Sequence, residues 1–362
     1  MQPPHPQAPG LAALLIDRGA DPYDPQALYN TSIVGDDVAW LELLWTESAR
    51  RGRSNAWTVI SDKPAIGGTV PLNALDYLLG NAVAYNHLAR AEWLLSHGAD
   101  ANCRHAYSGR RQHAEAQVYG NQEMAELLER HGARATPLEG QIAFQAACMR
   151  LDREAAYRLV EQHPEYLKNR EPMLVAARAG RAAVVALLLE LGMDVDIADD
   201  TQQRGLHNAL AGGSLDVVKL LVAQGADIDR PTTQFGGAMG FAAHFDRREI
   251  AAYLAPLSRD VHNLTCLGMK ERLSDLFSAD PALANARHFR LGFTPLFCLP
   301  EADSEALDMA AFLLAQGADP GMRNEDGLTA EQVFRKQGRE EVADFLMTGS
   351  VLQRYRPGDN RR

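Results

Sequence analysis

The 362-residue sequence has few cysteines and lacks a long apolar run. Its four cysteines show no C-x-x-C spacing, which argues against a metal site or a disulfide framework and predicts free thiols in a reducing compartment. No segment approaches the roughly 18 consecutive apolar residues that span a bilayer. The N-terminal text MQPPHPQAPG contains neither the basic nor the apolar part of a secretory signal. These absences predict a cytoplasmic protein without a membrane partner.

Signatures of common catalytic sites are also missing. The sequence contains no GxxxxGKS/T phosphate loop, no GxSxG nucleophile motif and no HExxH metal motif. Its net charge of −11 disfavours general binding of nucleic acid. We therefore predict no cofactor, no metal, no nucleic-acid partner and no catalytic residue. A non-enzymatic protein is favoured, although a repeat protein can also hold an active site in its concave surface.

Two short helical patterns lie back to back in residues 204–229, RGLHNALAGGSLDVVKLLVAQGADID. The first has apolar side chains on one side and stops at Gly212 and Gly213. The second ends at Gly225, where a left-handed glycine is expected to close the helix. A helix pair of this size cannot bury both of its faces, so it predicts copies of itself on either side.

Such copies recur along the chain. The Gly-Ala-Asp text that follows the second helix begins at Gly19, Gly98, Gly225 and Gly317, with degenerate forms at Gly132 and Gly192. Gly98 and Gly132 are 34 residues apart, and Gly192 and Gly225 are 33 residues apart. A fixed period of this length is the signature of a repeat architecture.

This period, with its Gly-Ala-Asp exit and a Thr-Pro-Leu opening at 294–296, resembles the ankyrin repeat family over nearly the whole chain. The resemblance implies an all-α solenoid of roughly nine to ten helix-turn-helix repeats with short β-turn tips. It also implies that His207, at the histidine position of the family's TPLH motif, bonds turn backbone. The Ala- and Arg-rich composition is typical of a bacterial member.

The resemblance also suggests how the chain is divided. Residues 1–26 are expected to form a disordered start and an N-terminal capping helix, and 27–51 a diverged repeat in which Asp36 and Asp37 cap the second helix. Residues 52–70 fit no helix and predict an inserted loop or hairpin. Repeats fill 71–326, a polar capping repeat 327–347 and a solvated tail 348–362.

If the family register holds, a ligand would lie in a concave groove lined by the ends of the first helices and by the tips between repeats. Ala211 and Gly212 are expected to leave a smooth patch there that a partner could approach. Tyrosine and arginine dominate binding hot spots, and guanidinium groups suit carboxylates. The candidate binding residues are Tyr85, Asn86, Arg104, Tyr107, Arg110, Tyr119, Arg150, Arg178, His244, Phe245 and Arg290.

Three functions remain open at this point. The favoured one is a non-enzymatic scaffold that binds a protein partner, with an acidic segment or a small acidic ligand as the bound group. The second is an enzyme or small-molecule binder near the irregular N-terminal repeats, around Asn30, Tyr85, Asn86, His87 and His113. The third is a secreted, host-directed bacterial effector. A closed polar pocket beside residues 52–70 would favour the second, and an open groove with exposed aromatics the first.

Overall fold

The computed structural model describes residues 8–20, 22, 28–30, 35–60, 70–233, 236–288 and 291–348. The chain divides into two compact units, Met1–Tyr166 (unit 1) and Leu167–Arg362 (unit 2). Several predicted features lie outside the described residues. These are the start at 1–7, residues 61–69 of the insertion, the tail from 349 onward and the candidate Arg290.

Unit 1 is built from pairs of helices. In sequence order the helices are α1 (Ala8–Asp17), α2 (Ala39–Arg50), α3 (Ala74–Ala84), α4 (Leu88–Ser96), α5 (Gln112–Tyr119), α6 (Gln122–Arg130), α7 (Gly140–Met149) and α8 (Arg153–Gln162). Helix α3 packs on α4, α5 on α6 and α7 on α8, and the first helices α3, α5 and α7 lie side by side. Short 3-10 turns occur at Ser54–Thr58 and at Pro164–Lys168, the latter spanning the unit boundary.

Unit 2 repeats the same construction. Its helices are α9 (Glu171–Arg178), α10 (Ala182–Glu190), α11 (Gly205–Gly212), α12 (Leu215–Ala223), α13 (Ala238–His244), α14 (Arg248–Leu254), α15 (Val261–Cys266), α16 (Lys270–Ala279), α17 (Asp303–Ala315), α18 (Ala330–Lys336) and α19 (Glu340–Thr348). The first helices α9, α11, α13 and α15 again lie side by side. In the next copy the 3-10 turn Pro295–Phe297 takes the place of a first helix, and it packs on α15, α17 and α18.

The tips between helix pairs carry very short antiparallel pairings. Isolated bridges join Arg104 to Arg111 in unit 1, and Ala198 to Arg204, Thr232 to Gly236, and Arg323 to Thr329 in unit 2. Across the described ranges the regular structure is otherwise helical. The prediction of an all-α fold is confirmed there. None of the helices in these ranges is both long and apolar enough to cross a membrane.

The predicted helix stops coincide with left-handed glycines. Helix α11 continues through Gly212 and ends at Gly213, whose φ is +81°. Helix α12 begins at Ser214, whose hydroxyl accepts a hydrogen bond from Val217 N at 3.4 Å, and Gly225 follows with φ +88°. Glycine adopts this backbone region without the steric penalty that a Cβ brings.

Side chains at the repeat exits tie each copy to the next. In unit 1, Asn102 accepts a hydrogen bond from Arg134 N at 2.9 Å and donates one to Gly132 O at 3.0 Å. In unit 2, Asn285 makes the same pair of bonds with Asp319 N and Gly317 O, at 2.7 and 2.9 Å. The segments that follow the second helices therefore hold successive repeats in register.

The inserted segment differs from the prediction that residues 52–70 fit no helix. Ser54–Thr58 form a 3-10 turn, and Trp57 is fully buried instead of projecting outward. Its indole Nε1 donates to Ser48 Oγ at 3.1 Å, and its ring packs edge-on against Trp45, with the ring centroids 5.4 Å apart. A large apolar ring with a satisfied N–H gains more from burial than from exposure, which draws this turn inward.

The two predicted capping aspartates serve different helices. Asp37 Oδ1 accepts from Ala39 N, the first residue of α2, at 2.9 Å, although Val38 holds the N-cap position. Asp36 instead accepts from Ala89 N and Arg90 N, at 3.1 and 3.0 Å, at the start of α4. A carboxylate is stabilised by the unpaired amides at a helix N-terminus, and here the helix belongs to the following copy.

Candidate functional site

Four tyrosines of unit 1 come together. The phenol oxygens of Tyr77 and Tyr107 lie 3.1 Å apart, within hydrogen-bond distance. Burial and this bond raise the pKa of Tyr107, and the nearby phenols of Tyr29 and Tyr85 raise it further. Tyr29, Tyr85 and Tyr107 nevertheless leave 38%, 51% and 40% of their surface exposed. We call Tyr29, Tyr77, Tyr85 and Tyr107 the tyrosine surface.

Tyr107 reaches this surface on a hydrogen-bonded turn, residues 103–112, which we call the finger. His105 N donates to Arg110 O at 2.8 Å, and Gln112 N donates to Cys103 O at 3.3 Å. These bonds fix the two sides of the finger against each other. Its apex therefore holds Tyr107 in place ahead of any partner, which lowers the ordering cost of binding.

A buried carboxylate fastens the finger to α5. The Glu115 side chain is fully buried. It accepts hydrogen bonds from Ser108 Oγ at 2.9 Å and from Arg110 Nε at 2.6 Å. A buried charge is tolerated when it is paired and hydrogen-bonded in this way. The Glu115 carboxylate, one turn into α5, therefore positions the finger that carries Tyr107.

His105, Ser108 and Glu115 are the residue types of a catalytic triad, but the serine and the acid are arranged differently around the imidazole. The same ring nitrogen, His105 Nδ1, lies 3.2 Å from Ser108 Oγ and 3.4 Å from Glu115 Oε1. A triad places serine on one ring nitrogen and the acid on the other. Here the serine hydroxyl donates a hydrogen bond to the carboxylate, and burial lowers the pKa of His105. The network supports the finger and does not activate a nucleophile.

The end of α3 supplies the next part of the surface. Tyr85 closes the helix, and Asn86 follows in the left-handed region with φ +55°. The ring of Tyr85 stacks on His87, with the centroids 5.7 Å apart. Burial is the main cause that lowers the pKa of His87, so this imidazole is neutral at neutral pH. The flank of Tyr85 is therefore aromatic and uncharged.

Two predicted arginines belong to the finger. Arg104 is exposed, and its Nη1 donates to Gly109 O at 2.7 Å. Arg110 is half-buried with its guanidinium on Glu115. The charge of Arg110 thus neutralises a buried carboxylate of its own unit.

The remaining unit 1 candidates lie at the ends of the following first helices. Tyr119 is half-buried at the end of α5, and Arg150 is exposed just after α7. Val118, beside Tyr119, is fully buried. Its apolar side chain is turned into the core.

Gly212 in unit 2, part of the predicted smooth patch, also has a role in helix packing. A Cβ at Gly212 would lie 2.0 Å from the carbonyl oxygen of Arg178, so this glycine allows two first helices to touch. The end of α11 is also covered, because the Arg247 guanidinium donates to Leu210 O and Ala211 O at 3.1 and 2.8 Å. Gly212 itself remains exposed and Ala211 is half-buried, so the approach of a partner to this patch stays a prediction.

The other unit 2 candidates are on the surface. Arg178 is exposed at the end of α9, and His244 is exposed at the end of α13. The rings of His244 and Phe245 meet edge to face, with the centroids 4.8 Å apart. The predicted set is thus divided, with Tyr85, Asn86, Arg104, Tyr107, Arg110, Tyr119 and Arg150 in unit 1 and Arg178, His244 and Phe245 in unit 2.

A cleft of about 400 Å³ opens between α4 and α6. It is lined by Leu88, Ala89, Glu92, Glu123, Glu126, Leu127 and Arg130. None of the residues expected for a small-molecule site lies in it. Among those residues, His113 is buried and bonded to Glu129 through Nε2 at 2.8 Å. In the described part of the chain, no group of three or more His, Cys, Asp and Glu side chains could hold a metal.

Comparison with known families matches the helix pairs described above. A family model of ankyrin repeats, comprising three copies, matches residues 144–232 and, in a second alignment, residues 173–266. This part of the chain is made of ankyrin repeats.

Two curated relatives match part of the chain. Ankyrin repeat and SAM domain-containing protein 6 of Danio rerio is 30% identical over 160 residues, which are 41% of this chain and 21% of the relative. A Transient receptor potential cation channel subfamily A member 1 homolog of Caenorhabditis elegans is 31% identical over 117 residues, 30% of this chain and 10% of the relative. The chain therefore spans only a small part of the curated relatives it matches.

Among solved structures, a chain from the complex of the Bd0816 predatory endopeptidase of Bdellovibrio bacteriovorus with immunity protein Bd3460 is similar to part of this chain. The sequences are 24% identical, and the TM-score is 0.39. The similarity covers 49% of this chain and 97% of the other.

The repeat histidine behaves as the family resemblance implies. His207 is fully buried, and its Nδ1 accepts a hydrogen bond from Arg204 N at 3.2 Å in the turn before α11. Burial, aided by the charge of Arg204, lowers the pKa of His207 to about 4. The prediction of a structural histidine is confirmed.

Sequence reasoning missed Tyr29 and Tyr77 on the tyrosine surface and Glu115 beneath the finger. Tyr77 lies 30 residues before Tyr107, close to one ankyrin period. Residues one period apart lie side by side in stacked repeats. Comparing side chains at this spacing, instead of within one copy, is the signal that could have found Tyr77.

Proposed function

We propose that this chain, which we count at nine to ten repeats, binds a protein partner and that the tyrosine surface is its principal contact. Ankyrin repeats generally mediate protein–protein interaction. The observation that carries the proposal is the exposure of Tyr29, Tyr85 and Tyr107 around the Tyr77–Tyr107 hydrogen bond.

The energetics of tyrosine favour such a contact. A tyrosine ring buries a large apolar area, loses few torsional degrees of freedom, and keeps a hydroxyl for hydrogen bonding. Tyrosine is enriched among residues whose truncation costs at least about 2 kcal/mol of binding. Because Glu115 already fixes the finger, little conformational entropy is lost when a partner binds.

Exposed arginines supply a second, weaker contribution. We propose that Arg150 in unit 1 and Arg178 in unit 2 attract acidic residues of the partner, since both are exposed at the ends of first helices. Rim charges of this kind act mainly on the rate of association and its dependence on salt. A small acidic ligand is not part of the proposal, because Arg110 is already bound to Glu115.

The proposal is tested by site-specific photo-crosslinking in lysate of the native organism. A photoreactive phenylalanine analogue is placed at position 85, and a control protein carries it at position 157. Tyr157 is a matched control because it is 37% exposed on α8, a second helix of the same unit. The proposal expects a discrete protein adduct at position 85 that the control lacks. Identical adduct patterns at both positions would contradict it.

A further inference from the structure

Helix α1 carries an apolar face that is exposed in unit 1. Leu11, Leu14 and Leu15 are spaced i, i+3 and i+4, so they lie on one side of the helix, and 57%, 50% and 52% of their surfaces are exposed. The other side of α1 is fixed on α2, because Ile16 is buried and Asp17 pairs with Arg50 at 2.5 Å. A single exposed leucine needs no explanation, but a contiguous apolar face is typical of a contact site.

The other copies show what covers this face elsewhere in the chain. Leu15 stands four residues before the exit glycine Gly19, and five other copies also have a leucine at this place. All five are fully buried: Leu94, Leu128, Leu188, Leu221 and Leu313. Leu11 stands eight residues before Gly19, and four copies have a buried apolar residue at this place: Met124, Val184, Val217 and Met309.

The cover in those copies is helical. Four of the five second helices pack on the first helix of their own copy, and α17 packs on the 3-10 turn Pro295–Phe297 that replaces it. The two helices of a pair are antiparallel, because only a short turn joins them. The first described residue, Ala8, is also the first residue of α1, so within the described ranges no first helix precedes α1. The occupant expected on its apolar face is an antiparallel helix with apolar residues at i, i+3 and i+4.

Helix α1 itself meets this description. A twofold axis perpendicular to α1 places two copies of it antiparallel, so that each covers the leucines of the other, as in the self-complementary contacts of homodimers. Residues 8–16, APGLAALLI, contain no charged side chain, so like charges do not meet across such an axis. We infer that the apolar face of α1 binds a second copy of this chain through an antiparallel α1–α1 contact. The inference does not depend on the proposed function, since none of the four tyrosines is on α1.

The mass of the full chain in solution tests the inference. Three half-exposed leucines per copy make a small interface, so the dimer should dissociate on dilution. Sedimentation velocity from about 1 to 200 µM should show the mean mass rising from that of a monomer toward that of a dimer. The double variant Leu11→Glu with Leu15→Glu should stay monomeric over the same range, because its carboxylates would be buried in an apolar contact.

The matched control is Leu257→Glu, which changes a leucine of unit 2 that is 47% exposed and should associate as wild type does. Circular dichroism establishes that each variant is folded. A wild-type chain that is monomeric at every concentration would overturn the inference. So would a folded double variant that still forms the dimer, because the copies would then meet elsewhere.

Mixing two variants tests the antiparallel orientation. Leu11 and Leu15 lie on either side of residue 13, so the twofold axis places Leu11 of one copy beside the partner's Leu15. Leu11→Lys and Leu15→Glu should each form less dimer than wild type when alone. An equimolar mixture should recover dimer, because the introduced ammonium and carboxylate pair while the two remaining leucines stay in contact. A mixture that associates no more than the separate variants would contradict this contact.

Discussion

Tyr77 and Tyr107 are 30 residues apart in sequence, and their hydroxyl oxygens are 3.1 Å apart in the structure. The first lies on α3, and the second is at the apex of the following finger. Stacking of successive helix pairs brings them together, because each copy places equivalent segments beside those of the previous copy. The contact joins two repeats of unit 1 at the point where their aromatic side chains are exposed.

Removing the buried carboxylate under the finger should destabilise unit 1. Glu115→Ala leaves Arg110 and Ser108 without their acceptor, and we expect a loss of about 2–3 kcal/mol in the free energy of unfolding. All four tryptophans of the chain, at 40, 45, 57 and 93, are in unit 1, so their fluorescence in urea reports this unit. Glu123→Ala, at an exposed position on α6, is the control and should change stability little. Equal midpoints for the two variants would show that Glu115 does not hold the finger.

The fold could be predicted from the sequence wherever the residues of a single repeat determine the local structure. The Gly-Ala-Asp exits and the stops at Gly213 and Gly225 follow from helix periodicity and glycine chemistry within a single copy. Trp57 could not be placed in the same way. Its burial depends on Ser48 and Trp45, which lie in an earlier helix.

The candidate site was harder to predict, because its contacts cross copy boundaries. Tyr85 and Tyr107 were found from their register positions, but Tyr77 is defined by a contact with the next repeat. The packing role of Gly212 could not be predicted for the same reason. Its lack of a side chain leaves room for the Arg178 carbonyl oxygen of the preceding copy. This contact cannot be seen in the sequence of a single repeat.

A methyl group at Gly212 should separate two helices of unit 2. In Gly212→Ala the new Cβ would lie 2.0 Å from Arg178 O, and the obstacle is backbone that cannot rotate away. We expect a loss of about 3 kcal/mol or more, measured by circular dichroism in urea. Gly10→Ala, in α1 with no atom near the added methyl, should be neutral or slightly stabilising. A Gly212→Ala protein as stable as wild type would disprove the close approach.

Acid should weaken the fold through His207. Its folded pKa of about 4 is below the usual value of 6.5, so the folded state favours the neutral imidazole. As pH falls below 6.5 the unfolded chain takes up a proton first, and the stability associated with His207 is lost progressively down to about pH 4. The full loss is about 3 kcal/mol.

Urea unfolding at a series of pH values measures this contribution when wild type is compared with His207→Gln. The variant is expected to be less stable at neutral pH and to lose less stability between pH 6.5 and 4. Parallel pH profiles for the two proteins would mean that His207 titrates normally in the folded state.

The central claim is that this protein uses the tyrosine surface to bind its partner. The most direct measurement is the Kd of the purified partner, identified by crosslinking at position 85, for wild type, for Tyr85→Ala with Tyr107→Ala, and for Tyr157→Ala. The account predicts that the double variant binds at least about tenfold more weakly while Tyr157→Ala matches wild type. Full affinity in a folded double variant would contradict it.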